Sequence, residues 1–330
     1  MEGRFSLDNL SRRVKDYFVK HAGKYRLDPN AVEARYILNW GGFVNASFQV
    51  TDGKTVYHLK LADEEWSRER LGRWQRFNLT LSEHYHAPRM LDWIKIPRAP
   101  FEGPLFEFLP GQKADLIRQP EVLNEVLAVV KRLHSDSKLA AELRDMEGEV
   151  PTCSNYFLDV YIDRFDEDLL VVAPNLPPFV SLETLNWMMG ETRELEALAR
   201  DMPAFQFLAD SPTHGDLWPS NILVDEAGAW RIIDWDDLSL GDPALEYSIF
   251  LAPLWRAGAI SQDELLNLLP TDAALRERFV VCQRALILDE VIDTLADWVE
   301  AEFAPQHQAE VRAEKERIHR SALDLYTRLY

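Results

Sequence analysis

His214-Gly215-Asp216-Leu217-Trp218-Pro219-Ser220-Asn221, continued by Ile222-Leu223-Val224 and then by Ile232-Ile233-Asp234, decides how the rest of this 330-residue chain is read. One aspartate stands five residues before an asparagine, and a second follows that asparagine by thirteen, at the end of an apolar run. Residues 221–225 and 229–235 are β-prone and parted by Glu226-Ala227-Gly228, which predicts a hairpin. Asp216 and Asn221 then lie in the loop before its first strand, and Asp234 near the end of its second. Phosphoryl transfer from a nucleotide needs such a set: a carboxylate to take the acceptor's proton, and an amide and a carboxylate to hold Mg2+. Taken singly, each residue has a plainer reading as a turn, a strand cap or an ordinary strand-end carboxylate. Their joint spacing favours the chemical reading.

Working outward, residues 7–22 carry Leu10, Val14 and Phe18 at helical spacing and predict an amphipathic opening helix. From Tyr36 the pattern turns strand-like: Tyr36-Ile37-Leu38, a Gly41-Gly42 turn, Phe48-Gln49-Val50, a turn at Asp52-Gly53, then Val56 to Leu61. Residues 64–77 read as helix, and Trp93-Ile94 and Leu105-Phe106-Glu107-Phe108 as further strands. Beyond Leu109-Pro110-Gly111 the chain is expected to be helical over 120–135, 155–169, 181–200, 243–257, 262–269, 274–300 and 305–328, interrupted only by the hairpin. The expected fold class is therefore α+β. A sheet-rich N-terminal part, 1–109, comprises a helical extension 1–35 and a sheet with helix 36–109; a helical part, 110–330, follows.

Lys60 sits inside an apolar strand, two strands after the glycine turn. A lysine so placed can reach the α- and β-phosphates of a nucleotide and pair with a glutamate on the next helix. Glu69 is the expected partner and Glu65, one turn earlier, the alternative. The plainer reading is a strand lysine with its head in water. Gly41 and Gly42 would let the backbone approach phosphates closely, with Asn45 adding a side-chain donor; a simple hairpin turn would need the same glycines. Backbone groups of Glu107 and Leu109, where the sheet-rich part ends, are nominated to meet an adenine ring, and Pro110-Gly111 to turn the chain away.

Composition excludes several classes. The balance of 36 basic and 55 acidic residues gives a net charge of −19, which argues against nucleic acid as a partner and is compatible with a cationic one. Cys153 and Cys282 are the only cysteines and form no metal-spaced motif, which points to a reducing cytoplasm. No apolar stretch approaches the ~20 residues of a membrane helix, and the first residues lack a signal-peptide pattern. A soluble monomer or weak homodimer is expected, acting on a small molecule.

The spacing of Asp216, Asn221 and Asp234 is that of the protein-kinase catalytic loop and its downstream metal aspartate. Gly215 replaces the usual arginine, and Asp234-Trp235-Asp236 stands in place of D-F-G. Those departures point to small-molecule relatives. Together with Gly241-Asp242-Pro243, the motifs resemble the aminoglycoside phosphotransferase and choline kinase superfamily over about residues 36–250. The resemblance implies a bilobal protein-kinase-like fold, ATP and Mg2+ as cofactors, Asp216 as catalytic base, Asn221 and Asp234 as metal ligands, and Lys60 as phosphate ligand. Asp242 is expected to brace its loop, and Glu246, where many relatives carry Asp, receives no role. Trp218 resembles the fructosamine kinases and Pro219-Ser220-Asn221 the broader group, so sugar, fructosamine, choline, ethanolamine and homoserine kinases all stand as alternatives. A nucleotide sensor without turnover and a protein kinase are the rivals from other classes.

For the acceptor, Asp236 and Asp237 are nominated by closeness to Asp234. A stripe of Asp289, Asp293, Asp297 and Glu300 on a predicted helix would also suit an amine, although such stripes more often face solvent. Trp235, Trp255, Trp298 and Tyr247 would suit an aromatic box, with core packing the expected fate of each. His134 is expected to pack or cap.

Overall fold

Alternation in Val56–Leu61 sends Leu59 and Leu61 to one face of the sheet and His58 and Lys60 to the other, and the fold is built on that division. A computed structural model describes residues 7–37, 45–301 and 308–330; the Gly41-Gly42 turn lies outside the described residues. In chain order come α1 (Leu7–Lys20), β1 (Glu33–Ile37), β2 (Ala46–Thr51), β3 (Val56–Leu61), α2 (Glu65–His84), β4 (Met90–Lys95), β5 (Glu102–Glu107) and β6 (Gln112–Lys113). Helices α3 (Pro120–His134), α4 (Ser137–Glu147), α5 (Cys153–Phe157), α6 (Asp163–Val172) and α7 (Leu182–Asp201) follow. Short strands β7 (Ser211–Thr213), β8 (Ile222–Val224), β9 (Trp230–Ile232) and β10 (Ser239–Gly241) precede α8 (Pro243–Phe250), α9 (Ala252–Arg256), α10 (Gln262–Leu268), α11 (Ala273–Glu300) and α12 (Gln308–Leu329). The chain divides into two compact units, Met1–Asp115 with Pro219–Leu238, and Leu116–Trp218 with Ser239–Tyr330. The hairpin expected with the helical part thus groups with the sheet-rich part.

In the first unit a five-stranded antiparallel sheet has the order β1-β2-β3-β5-β4, with Phe48 opposite Leu59 and Leu59 opposite Leu105. Leu10, Val14 and Phe18 of α1 form a core with Phe48, Leu59, Leu61, Ile94 and Leu105. Burying such side chains contributes roughly 1.5–3 kcal/mol each. Toward α2 the sheet presents Lys60 and Phe106, and the Trp74 ring lies 4.2 Å from that of Phe106. Strand β5 passes so close to β3 that a Cβ on Gly103 would stand 2.2 Å from the Lys60 carbonyl oxygen, so only glycine fits. The small sheet β6-β8-β9 completes the unit.

The second unit is built around α11, which is buried along most of its length and packs against α6, α7, α8 and α12. Strands β7 and β10 pair antiparallel, Thr213 opposite Ser239. The expected single helix over 243–257 is two, broken at Leu251, because Pro253 has no N–H to continue the ladder. Helix α4, unread in the sequence, starts at Asp136, whose side chain accepts from the Lys138 and Leu139 amides. Among the described residues no helix is long and apolar enough to cross a membrane.

Candidate active site

In the first unit, the Ile233 amide donates to the Asn221 carbonyl at 2.8 Å, so the start of one hairpin arm is fastened beside the end of the other, next to Asp234. Asp234 itself adopts a left-handed conformation, φ 68° and ψ 54°, which Asp tolerates better than most residues. Trp235, wholly buried, anchors the turn by donating from its indole to the Ile232 carbonyl. The Lys60 ammonium is 2.5 Å from carboxylate oxygens of both Asp234 and Asp236. Burial alone would lower the Lys60 pKa; the Asp236 and Asp234 charges and hydrogen bonds overcome that and raise it, so the ammonium stays charged. Burial, and then the Asp234 charge working against Lys60, raise the Asp236 carboxyl.

This arrangement differs from expectation at several residues. Glu69 and Glu65 are exposed, and the carboxylates meeting Lys60 come from the turn after β9 instead. The α2 residue buried at this end is Ser67, whose hydroxyl donates to the Asn45 side-chain oxygen at 2.6 Å. Asn45 in turn donates to Asp236 at 2.8 Å. Asp236 is buried and Asp237 is paired with Arg70, so both nominated acceptor contacts are engaged inside the first unit. The Glu107 amide donates to the Arg89 carbonyl and its carboxylate accepts from the Arg89 amide, which narrows its part toward a base to its own carbonyl. Leu109 follows the end of β5 and is half-buried.

Asn221 and Asp234 offer hard oxygen donors, and the Asp234 side chain is 32% exposed. Mg2+ takes one or two such protein ligands and completes its shell with phosphate and water, so the pair fits that ion.

In the second unit, Gly215 has φ 85°, a conformation open to glycine and costly for arginine, which explains the departure from the protein-kinase loop. Its amide donates at 3.0 Å to Glu246, whose second oxygen is 2.6 Å from His134 Nε2. The Asp216 amide donates to Nδ1 of the buried His214, and the Trp218 amide to the Asp216 carbonyl. Burial would raise the Glu246 carboxyl; its bond and charge contact with His134, then His214 and the Gly215 amide, hold it below the ordinary range. The buried Glu246–His134 contact behind the loop thus fixes the backbone carrying Asp216. Glu246 and His134 were given no such role by the sequence. The signal was a lone acid in Leu245-Glu246-Tyr247-Ser248-Ile249-Phe250, an otherwise largely apolar helix where burial demands a partner. Asp242 braces as expected: it caps α8 at the Ala244 amide and takes two bonds from Arg278.

The acidic stripe is not a solvated face. Asp289, Asp293 and Asp297 are half-buried and only Glu300 is exposed. Arg164 pairs with Asp289 and Lys315 with Asp297. Asp168 of α6 joins them, and its Oδ2 is buried without a partner among the described residues. Burial, reinforced by Asp293, pushes Asp168 up to about 6; burial outweighs Arg164 and brings Asp289 to about 6 as well. Trp235, Trp255 and Tyr247 are buried core, while Trp298 is half-buried with the Arg312 guanidinium 4.1 Å from its ring.

The sequence profile of the phosphotransferase enzyme family matches residues 36–278. No curated protein matches the chain significantly. Among solved structures, the GDP complex of aminoglycoside 2'-phosphotransferase-IIIa is 13% identical, over 97% of this chain and 99% of that one, with a TM-score of 0.63. Plasmodium vivax ethanolamine kinase is 16% identical, over 98% and 90%, with a TM-score of 0.56. The aminoglycoside phosphotransferase APH(4)-Ia, with AMP-PNP and hygromycin B, is 15% identical over 93% and 98%, at 0.55. These likenesses show the protein-kinase-like α+β fold.

Proposed function

The chain belongs to the phosphotransferase enzyme family, and from that premise we propose that it is an ATP- and Mg2+-dependent kinase transferring the γ-phosphoryl group to a hydroxyl of a small, amine-bearing molecule. The observation that carries this reading is the first unit's constellation: a buried, charged Lys60 beside Asp234, with Asn221 fastened to the same turn. Lys60 neutralises charge on the nucleotide's phosphates. Asn221 and Asp234 would hold Mg2+, which would offset the charge of the nucleotide's phosphates. Asp216, on a loop fixed through Gly215 and Glu246, orients the acceptor hydroxyl and takes its proton as the γ-phosphorus bonds to the acceptor oxygen and parts from the bridging oxygen. The rate enhancement comes from positioning and electrostatics. The carbonyl of Glu107 and the amide of Leu109 meet the base.

The cluster of Asp168, Asp289, Asp293 and Asp297 supports an amine-bearing acceptor. Four carboxylates there face two paired cations, Arg164 and Lys315, and burial has already raised three of them, so an ammonium would relieve a standing charge excess. Aminoglycosides and amino alcohols both have that chemistry. We place the enzyme in the cytoplasm, in keeping with two buried, unpaired cysteines, as a monomer or weak homodimer.

The test is ADP or GDP release with Mg-ATP or Mg-GTP against a panel of aminoglycosides, choline, ethanolamine, homoserine, methylthioribose and fructosamines. Asp216→Ala should abolish acceptor-dependent release while leaving nucleotide binding intact, and Asp234→Ala should weaken Mg-nucleotide binding itself. Full activity of Asp216→Ala would refute the assignment of the base. Nucleotide binding with no turnover on any acceptor would favour a sensor.

A further inference from the structure

The two carboxylates at Lys60 are not equivalent. The Asp234 side chain is 32% exposed and that of Asp236 6%. Both stand 2.5 Å from the ammonium, yet only the exposed one can turn to a metal ion arriving with its nucleotide. Asp236 is almost closed to solvent. Its Oδ2 accepts from both Lys60 and Asn45, while Oδ1 is buried without a partner among the described residues, so what holds this carboxylate runs through one oxygen. Asn45 is fixed from its other side by Ser67 of α2. The helix following the lysine strand therefore reaches Lys60 through two neutral side chains and a borrowed acid. The Trp74 ring, 5.7 Å from the ammonium, closes the far side.

We propose that Asp236 is the permanent counter-ion and positioning residue of Lys60, held by the Ser67–Asn45 relay, and that it keeps the ammonium aimed when Asp234 is surrendered to Mg2+. The inference rests on the reading of Lys60 as a phosphate ligand. It assigns Asp236 no contact with nucleotide or acceptor; it acts through Lys60 alone. Without it, engagement of Asp234 by a divalent cation would leave a buried ammonium with no anion of its own, a costly state.

The experiment measures Mg-ATP and Mg-ADP binding by calorimetry on the full chain, with no acceptor needed, for wild type, Lys60→Met, Asp236→Asn, Asp236→Glu and the double variant Lys60→Met/Asp236→Asn. Asp236→Asn keeps the shape and an acceptor oxygen and removes only the charge. It should weaken Mg-ATP binding about 10- to 100-fold, the range for removing a partner that supports a ligand, with Asp236→Glu recovering most of it. In the Lys60→Met background the same substitution should have no further effect, because groups acting as one unit are not additive. Full additivity, or wild-type binding by Asp236→Asn, would overturn the proposal. Lys60→Met binding Mg-ATP like wild type would instead sink the reading of Lys60 itself, so the two failures are distinct. If Asp236→Asn does not fold, Asn45→Ala loosens the carboxylate without removing it. A several-fold loss confined to the background that retains Lys60 supports the relay, and an equal loss in both backgrounds refutes it.

Discussion

Replacing Arg278 with methionine should destabilise the second unit by about 3–5 kcal/mol, the usual cost of stripping a buried ion pair of one partner. Arg278 and Asp242 are 6% and 3% exposed. The guanidinium donates to Asp242 Oδ2 at 2.7 Å, to Oδ1 at 3.0 Å and to the Ala204 carbonyl at 2.8 Å. Methionine fills much of the stem's volume, so little of the loss is cavity. What remains is an Asp242 carboxylate in the interior, facing the Ala244 amide at 3.0 Å and the Cys153 thiol. At roughly 2–4 °C per kcal/mol for a unit of this size, the transition should fall by about 10 °C. The assay is thermal and urea denaturation followed by circular dichroism, at one pH and without ligand. Asp242→Asn/Arg278→Met removes both charges together and should cost much less than the sum of the two single variants. Because Asp242 caps the helix carrying Glu246, Arg278→Met should also slow turnover at temperatures where it is still folded. A shift below about 2 °C, or full additivity in the double variant, would refute the assignment of this pair as a brace.

Other expectations concern the loop and the acidic cluster. Glu246→Gln keeps an acceptor for the Gly215 amide but removes the charge facing His134; kcat should fall about tenfold with nucleotide KM unchanged, and a change confined to KM would contradict a role in aligning Asp216. Gly215→Ala places a side chain in a left-handed backbone conformation at a cost of about 1–2 kcal/mol, and should lower melting temperature and turnover together; unchanged turnover would mean that the loop tolerates rearrangement. Asp168 has a folded-state pKa of about 6 against an ordinary 3.8, so ionising it opposes folding. That penalty is absent below about pH 4, grows through pH 6 and is complete above it, amounting to about 1–2 kcal/mol after solvent screening. Asp168→Asn should therefore raise the melting temperature at pH 7.5 and leave it unchanged at pH 4; stabilisation of equal size at both would show that charge is not the cause.

Local pattern carried much of this. The apolar spacing of Leu10, Val14 and Phe18, the alternation around Lys60 and the spacing of Asp216, Asn221 and Asp234 each express a backbone periodicity or a short loop, so they could be read without knowing what packs against them. Strands of two or three residues, such as β6, β7 and β10, carry no period and went unread. The break at Leu251 was marked only by Pro253, inside an apolar run that otherwise continues.

Partnership belongs to tertiary structure. Lys60 lies 174 residues from Asp234 and 176 from Asp236, and nothing local distinguishes those carboxylates from Glu65 and Glu69 on the adjacent helix. Burial distinguishes them: the helix acids stay in water, where a charge needs no counter-ion, while a buried ammonium requires one. Glu246 finds His134 across 112 residues for the same reason. The acidic stripe reads as a solvated face on its own helix because periodicity gives direction but not what stands opposite; α6 and α12 supply Arg164 and Lys315 and remove much of the water. The sequence by itself pointed to a phosphotransferase, because the spacing of Asp216, Asn221 and Asp234 is local. Only the tertiary structure decided which charges keep that chemistry in place, because the energy of a buried charge depends on neighbours brought from far along the chain.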